Sequence, residues 1–220
     1  MEIAQENYLK LIYVQQSAAS FVKPSYLAEA LSVSNAAVTD MLKKLDKDGL
    51  VTYIPYQGVR LTKKGDVFGR QMVRRHRLWE LYLHEVLGFS WEAVHDEAER
   101  LEHASSDCLI DKLDERLGFP DTDPHGDPIP SREGDDFFPQ EQDKLSSLAI
   151  NQQAVITRVS DKSSDFLKYL KDLSIQIKDV VVVKEKRPFD ASMVIEVNGN
   201  RYELSRFSVD QIYVKKERSN

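Results

Sequence analysis

The sequence predicts a mostly α protein in three parts: an N-terminal winged helix-turn-helix, a helical middle domain and a C-terminal SH3-like β-barrel. Three observations predict it. Apolar residues recur at helical spacing through the first part of the chain and switch to period-two alternation beyond Leu145. Two short helical patterns joined by SVS are followed by a strand, a turn and a second strand. A Pro-, Gly- and Asp-rich stretch over residues 119–143 separates the helical from the β-rich region. We expect domains at 1–63, 64–140 and 141–220, since 220 residues suffice for more than one core.

Residues 2–17 carry Ile3, Tyr8, Leu11 and Ile12 at helical spacing. After the polar break SAASF, Pro24 opens a short helix through Leu31. Ser34 is placed to cap NAAVTDMLKKLDKDGL, with Val38, Met41, Leu42 and Leu45 facing inward and Gly49 ending the helix. Strands follow at Leu50–Ile54 and Val59–Leu61, around a turn at Pro55–Gly58. Together these form a winged helix whose second helix opens on small and polar groups. Ser34, Asn35, Ala36, Ala37, Thr39 and Asp40 offer contacts to a DNA major groove, and Lys43, Lys44, Tyr56, Gln57 and Arg60 lie where phosphates would run. Taken singly, each lysine is equally well a solvated surface residue.

Thr62 caps a helix of about 25 residues ending at Gly88, a length that suits a spine between modules. Its apolar positions Phe68, Met72, Leu78, Leu81, Tyr82, Val86 and Leu87 exceed one face, which predicts a dimer interface along part of it. Trp79 and Trp91 read as packing residues. Ser90 is placed to cap WEAVHDEAERLEHASS, and DCLIDKLDERLGF gives a further helix with Leu109, Ile110, Leu113 and Leu117 inside. The β-rich remainder alternates from Ala154 to Val159, breaks for the short helix SDFLKYLKDL, and returns to strands with a hairpin at Asn198-Gly199.

Helical spacing brings His95, Glu99, Glu102 and His103 to one side of their helix, and His76 and Glu80 lie one turn apart on the spine. If those helices pack together, imidazoles and carboxylates converge in numbers that suit one divalent cation or two, and the middle becomes a helical metal-binding and dimerisation domain. Ion pairs on helix surfaces produce the same spacings. His125, between Asp123 and Asp127, offers another trio, although a flexible Asp-rich loop accounts for it more simply.

The formal net charge of -6 hides a gradient. Residues 1–80 carry 12 Lys and Arg against 8 Asp and Glu, and residues 81–145 carry 5 against 18. A basic head on an acidic middle fits a DNA-binding module joined to a cation-binding one. No apolar run reaches the 18 residues of a membrane span, and MEIAQENYLKLIY lacks the features of a secretory signal, so a cytoplasmic protein with no membrane partner is expected. The single Cys108 excludes an intrachain disulfide framework, and no GxSxG, glycine-rich phosphate loop or HExxH motif points to an enzyme or an organic cofactor. A hydrolytic metal centre would need an open coordination position and a cleft, and no nucleophile motif accompanies the cluster.

With RRHRLWE, VHDEAERLEH, LAEALSVSNAAVTDMLKKLDKDGLV and PHGDPIP in this chain, the sequence resembles the diphtheria toxin repressor and manganese transport regulator family, in its three-domain form. The resemblance implies a homodimeric repressor of metal-uptake genes that binds a double-stranded DNA operator when a divalent metal is bound. It implies one site at His76, Glu80 and His95 and a second at Glu99, Glu102 and His103, completed from the first helix by Asn7. Asp165, at the helix of the β-domain, matches an extra ligand of the first site, with Asp161 able to stand in only if its loop shifts. Glu99 stands where iron-type members have cysteine, which favours hard donors and manganese, with ferrous iron next and zinc after it. Neutral Asn7 and cationic Lys10 depart from the manganese-type pattern, and Lys10 should repel a cation. The alternatives are an iron-dependent repressor of the same fold and a DNA-binding regulator that needs no metal.

Overall fold

The computed structural model describes residues 1–16, 21–132 and 142–216. The chain divides into two compact units. One holds Met1–Trp79, Glu99–Gly118 and the stretch from Ile129; the other holds Glu80–Ala98, Phe119–Pro128 and the C-terminal region.

In the first unit, α1 (Ile3–Gln15), α2 (Pro24–Ala30) and α3 (Asn35–Lys47) precede a two-stranded wing of β1 (Val51–Ile54) and β2 (Gly58–Leu61). Ser34 caps α3 by accepting from the Ala37 amide at 3.2 Å, and Gly49 ends it at φ +69°, a conformation that glycine adopts without strain. The core gathers Tyr8, Leu9 and Ile12 of α1, Leu27 and Ala28 of α2, Val38, Leu42 and Leu45 of α3, and Leu50, Val51 and Val59 of the wing. Here the helix-turn-helix and wing read from the sequence are present. Ile3, expected inside, is exposed, and the wholly buried Leu9 takes its place.

The long helix α4 (Lys63–Glu85) begins where Thr62 Oγ1 accepts from the Gly65 amide at 3.1 Å. Helix α5 (Val94–Glu102) starts three residues later than its sequence pattern suggests, because residues 91–93 form a turn after Ser90. Helix α6 (Asp107–Arg116) is capped by Ser106 and buries Ile110 and Leu113, but exposes Leu109, which the pattern had placed inside, and Cys108.

In the second unit the expected SH3-like barrel does not form. Strands β3 (Asp143–Lys144), β4 (Gln153–Val159), β5 (Val180–Lys186), β6 (Met193–Val197), β7 (Asn200–Leu204) and β8 (Ile212–Lys216) make one open sheet in the order β3-β8-β4-β5-β6-β7. Period-two alternation fixes that each strand has an inner face, but not that the first and last strands meet. The inner face is covered instead by Phe166, Leu167 and Leu170 of α7 (Ser164–Asp172) and Val209 of α8 (Arg206–Val209). Edge strand β7 carries exposed Asn200, Arg201 and Glu203, which discourage edge-to-edge pairing. The β6–β7 hairpin turns on Asn198 and Gly199, both at positive φ, as its sequence requires.

The stretch expected to be a loose loop is ordered over residues 121–128. Asp123 Oδ1 accepts from the amides of His125 (2.8 Å) and Asp127 (2.9 Å), and Thr122 pairs with Pro128. Gly126 sits at φ +85°, and a Cβ there would fall 2.1 Å from the Thr157 carbonyl oxygen, so only glycine lets the loop lie on β4. Residues 17–20 of the polar break, and residues 133–141 with the expected boundary at 140/141, lie outside the described residues.

Candidate metal centre

Helix α1 is two-sided. Its apolar residues fill the winged-helix core, and Gly69 of α4 lets it approach closely: a Cβ on Gly69 would lie 2.8 Å from the Leu9 carbonyl oxygen. The other side of α1 presents Glu6 and Lys10 to the acidic cluster, with Asn7 between them in sequence.

Lys10 Nζ lies 2.5 Å from Glu99 Oε1, 2.8 and 3.0 Å from the two Glu102 oxygens, and 3.1 Å from His76 Nδ1. Glu102 is wholly buried. His76 Nδ1 also lies 2.6 Å from Glu102 Oε2, so the same nitrogen would have to accept from the ammonium and donate to the carboxylate. Lone pairs that converge in this way suit a cation at the centre, and Lys10 stands in for one. His103, just beyond α5, pairs with Glu6 at 2.7 Å and with Glu102 at 3.3 Å. Asn7 Oδ1 is buried and accepts no hydrogen bond, a spare hard donor. The carboxylate and imidazole donors of the cluster include no sulfur, which fits manganese or ferrous iron better than a thiophilic ion.

A second constellation lies in the other unit. Ligand atoms of Glu80, His125 and Asp161 fall within 4.8 Å of one another. His125 is fully buried and stacks on Trp91 at a centroid distance of 5.6 Å, while its Nε2 meets the Trp91 carbonyl oxygen at 3.2 Å. Its Nδ1 makes no hydrogen bond and lies 3.8 Å from Glu80 Oε2. Burial alone would lower the imidazole pKa, but Glu80, then Asp123 and Asp161, outweigh it and raise the pKa to about 9. The site therefore favours positive charge.

The sequence-derived residues divide as follows. Glu99, Glu102 and His76 come together, with His76 turned to Glu102. Glu80 pairs with His95 at 3.2 Å. Asp165 is exposed at the start of α7 and belongs to none of the cation-competent groups among the described residues; Asp161 belongs to one with Glu80 and His125. Sequence reasoning missed Glu6, the central place of Lys10, and the pairing of His125 with Glu80. The one local signal for His125 was its neighbour Gly126, which marks a tight backbone approach.

Of the residues expected to contact DNA, Ser34, Asn35, Ala36, Ala37, Asp40, Lys43, Lys44, Tyr56, Gln57 and Arg60 are exposed, and Thr39 is half-buried with its hydroxyl on the Asn35 carbonyl. Lys44 is paired with Glu2 at 2.9 Å, and the Arg60 guanidinium lies 5.2 Å from the centre of the Phe21 ring.

Comparison with known proteins places these parts in one frame. Residues 3–59 match the family described as iron dependent repressor, N-terminal DNA binding domain, residues 62–131 the iron dependent repressor, metal binding and dimerisation domain, and residues 144–216 the FeoA domain. The HTH-type transcriptional regulator MntR of Lysinibacillus sphaericus is 37% identical over 110 residues, covering 50% of this chain and 78% of that protein. A structure described as a manganese-dependent transcriptional repressor in complex with manganese superposes with a TM-score of 0.88 at 34% identity, over 97% of this chain and 100% of its own. The manganese regulator SloR superposes with a TM-score of 0.80 at 32% identity, over 97% and 98%. The chain belongs to the diphtheria toxin repressor and manganese transport regulator family of metal-dependent repressors.

Proposed function

We propose that the protein is a manganese-responsive transcriptional regulator that binds operator DNA as a homodimer and represses metal-uptake genes. The observation that carries this reading is that α1, part of the winged-helix core, delivers Glu6 and Lys10 to the cluster of Glu99, Glu102 and His103. Any change in what that cluster holds is felt by the element that orients the DNA-binding surface.

Glu99, Glu102 and His103, with Asn7 from α1, would hold one ion, with His76 beside them; Glu80, His125 and Asp161 would hold a second, with His95 beside Glu80. A bound divalent ion supplies concentrated positive charge that neutralises the carboxylates and favours one arrangement of the chain over others. Within the first unit, Asn7 and Glu6 then tie α1 to the end of α5, and Gly69 keeps α1 against α4. The winged helix is thereby fixed for presentation of α3 to the major groove at operator spacing. The fit of a hard-donor site without cysteine favours manganese, with iron and zinc behind it. Among the described residues no helix is long and apolar enough to cross a membrane, and we assign the protein to the cytoplasm. We place the domain divisions at 63/64 and 140/141, a reading supported by three family matches over residues 3–59, 62–131 and 144–216.

The test is to titrate apoprotein with Mn(II) and follow binding to a candidate operator fragment. A large gain in affinity, abolished by His103→Ala or Glu102→Ala, is expected. Operator affinity unchanged by metal would contradict the reading.

A further inference from the structure

Lys10 has more partners than an ammonium can serve. Three carboxylate oxygens and His76 Nδ1 lie within 3.1 Å of its Nζ, against three N–H donors. That is how donors crowd around an ion. Its side chain is 14% exposed, so the head fills the cluster while the flexible four-carbon stem leaves a path to solvent. A divalent ion and this ammonium cannot share Glu99 and Glu102, because the carboxylate oxygens that would ligate the ion already face Nζ.

We propose that Lys10 is a tethered competitor for the metal: it neutralises Glu99 and Glu102 in the metal-free protein and must swing out before an ion enters. It thereby sets the metal concentration at which the regulator responds. This rests on the reading of the Glu99–Glu102 cluster as a cation site. Being covalently attached, the competitor acts at an effective concentration that dilution does not change. Its displacement costs the same whichever ion replaces it. The threshold therefore rises by one common factor for manganese and zinc, and the ratio of their affinities stays as the other donors set it. Binding of a cation that holds carboxylates only weakly, such as Mg(II), would be weakened by the same factor.

The experiment uses the full chain in an Asp161→Asn background, so that only the Glu102 site is counted, with Mn(II) binding read from the electron paramagnetic resonance of the free ion and Zn(II) by competition. Lys10→Met is expected to bind both ions at least about tenfold more tightly, since each charge-assisted hydrogen bond that the ammonium gives up is worth on the order of one such factor. Lys10→Arg, which keeps the charge, is expected to stay near wild type. Should Lys10→Met fail to fold with Glu102 uncompensated, Lys10→Gln, which still donates to the carboxylates without a charge, carries the same expectation. Unchanged or weaker binding in the neutral variant overturns the proposal, as does a gain for one ion alone. If wild type binds no ion that Glu102→Gln removes, the cation-site reading itself fails; if it binds one and the neutral variants bind it no better, only the role of Lys10 fails.

Discussion

Replacing Gly69 by alanine tests whether the close approach of α1 to α4 is what delivers the first helix to the cluster. An added Cβ would stand 2.8 Å from the Leu9 carbonyl oxygen, 2.8 Å from Tyr13 Cβ and 3.3 Å from Leu61 Cδ1. The first of these is backbone and cannot rotate away, so α1 must retreat by several tenths of an ångström. Overpacking of this kind costs about 1–3 kcal/mol, a fall in melting temperature of roughly 2–8 °C per kcal/mol depending on the size of the cooperative unit. Glu6, Asn7 and Lys10 retreat with α1, so Mn(II) affinity should fall as well. Gly49→Ala is the control: φ +69° makes it strained, and nothing lies within 4 Å of its Cβ, so no neighbour is pushed. It should lose about 1 kcal/mol or somewhat more through backbone strain and bind Mn(II) as wild type does. Calorimetric melting and a Mn(II) isotherm on both variants decide it. Equal metal affinity in Gly69→Ala and wild type would refute the coupling of α1 position to the site.

Three further outcomes are expected. Asp161→Asn or His125→Ala should reduce the bound manganese from two ions to one per chain by equilibrium dialysis, whereas Asp165→Asn should leave the count unchanged. Burial, helped by Asp66, pushes the Tyr13 phenol up to about 12, against about 10 in an unfolded chain; stability from keeping it neutral is complete below pH 10 and is lost as pH rises from about 10 to about 12, so the melting curve of Tyr13→Phe should fall less steeply across that window, and parallel curves would count against it. Removing Lys43 or Arg60 should weaken operator binding across sequences and lower the salt slope by about 0.9 for each phosphate left without its cation, with a smaller effect at Lys44, whose ammonium is held by Glu2.

What could be read from the sequence was local. Ser34 and Thr62 announce their helices because a cap needs only the next three residues, and Asn198-Gly199 announces its hairpin because the turn needs two positive φ values. His76 and Glu80, four apart, had to share a face of α4. What could not be read was long-range. Lys10 meets partners 66, 89 and 92 residues away, and no local pattern distinguishes a lysine that fills a site from one that repels its ion. His125 looked like part of an acidic loop, yet its loop is closed by Asp123 accepting two amides, which leaves the imidazole to face Glu80. The barrel failed for a related reason: alternation in β4 to β8 assigns inner faces, whereas closure depends on whether β7 reaches β3, and α7 and α8 supply the cover instead.

Crystals grown with manganese, with anomalous scattering recorded at its absorption edge, would locate the ions. One peak is expected among Glu99, Glu102, His103 and Asn7 with the Lys10 head group turned away, and a second beside Glu80, His125 and Asp161. A map with Lys10 still lodged between Glu99 and Glu102 and no peak at that cluster, in a protein that nonetheless binds its operator, would contradict the metal-responsive reading.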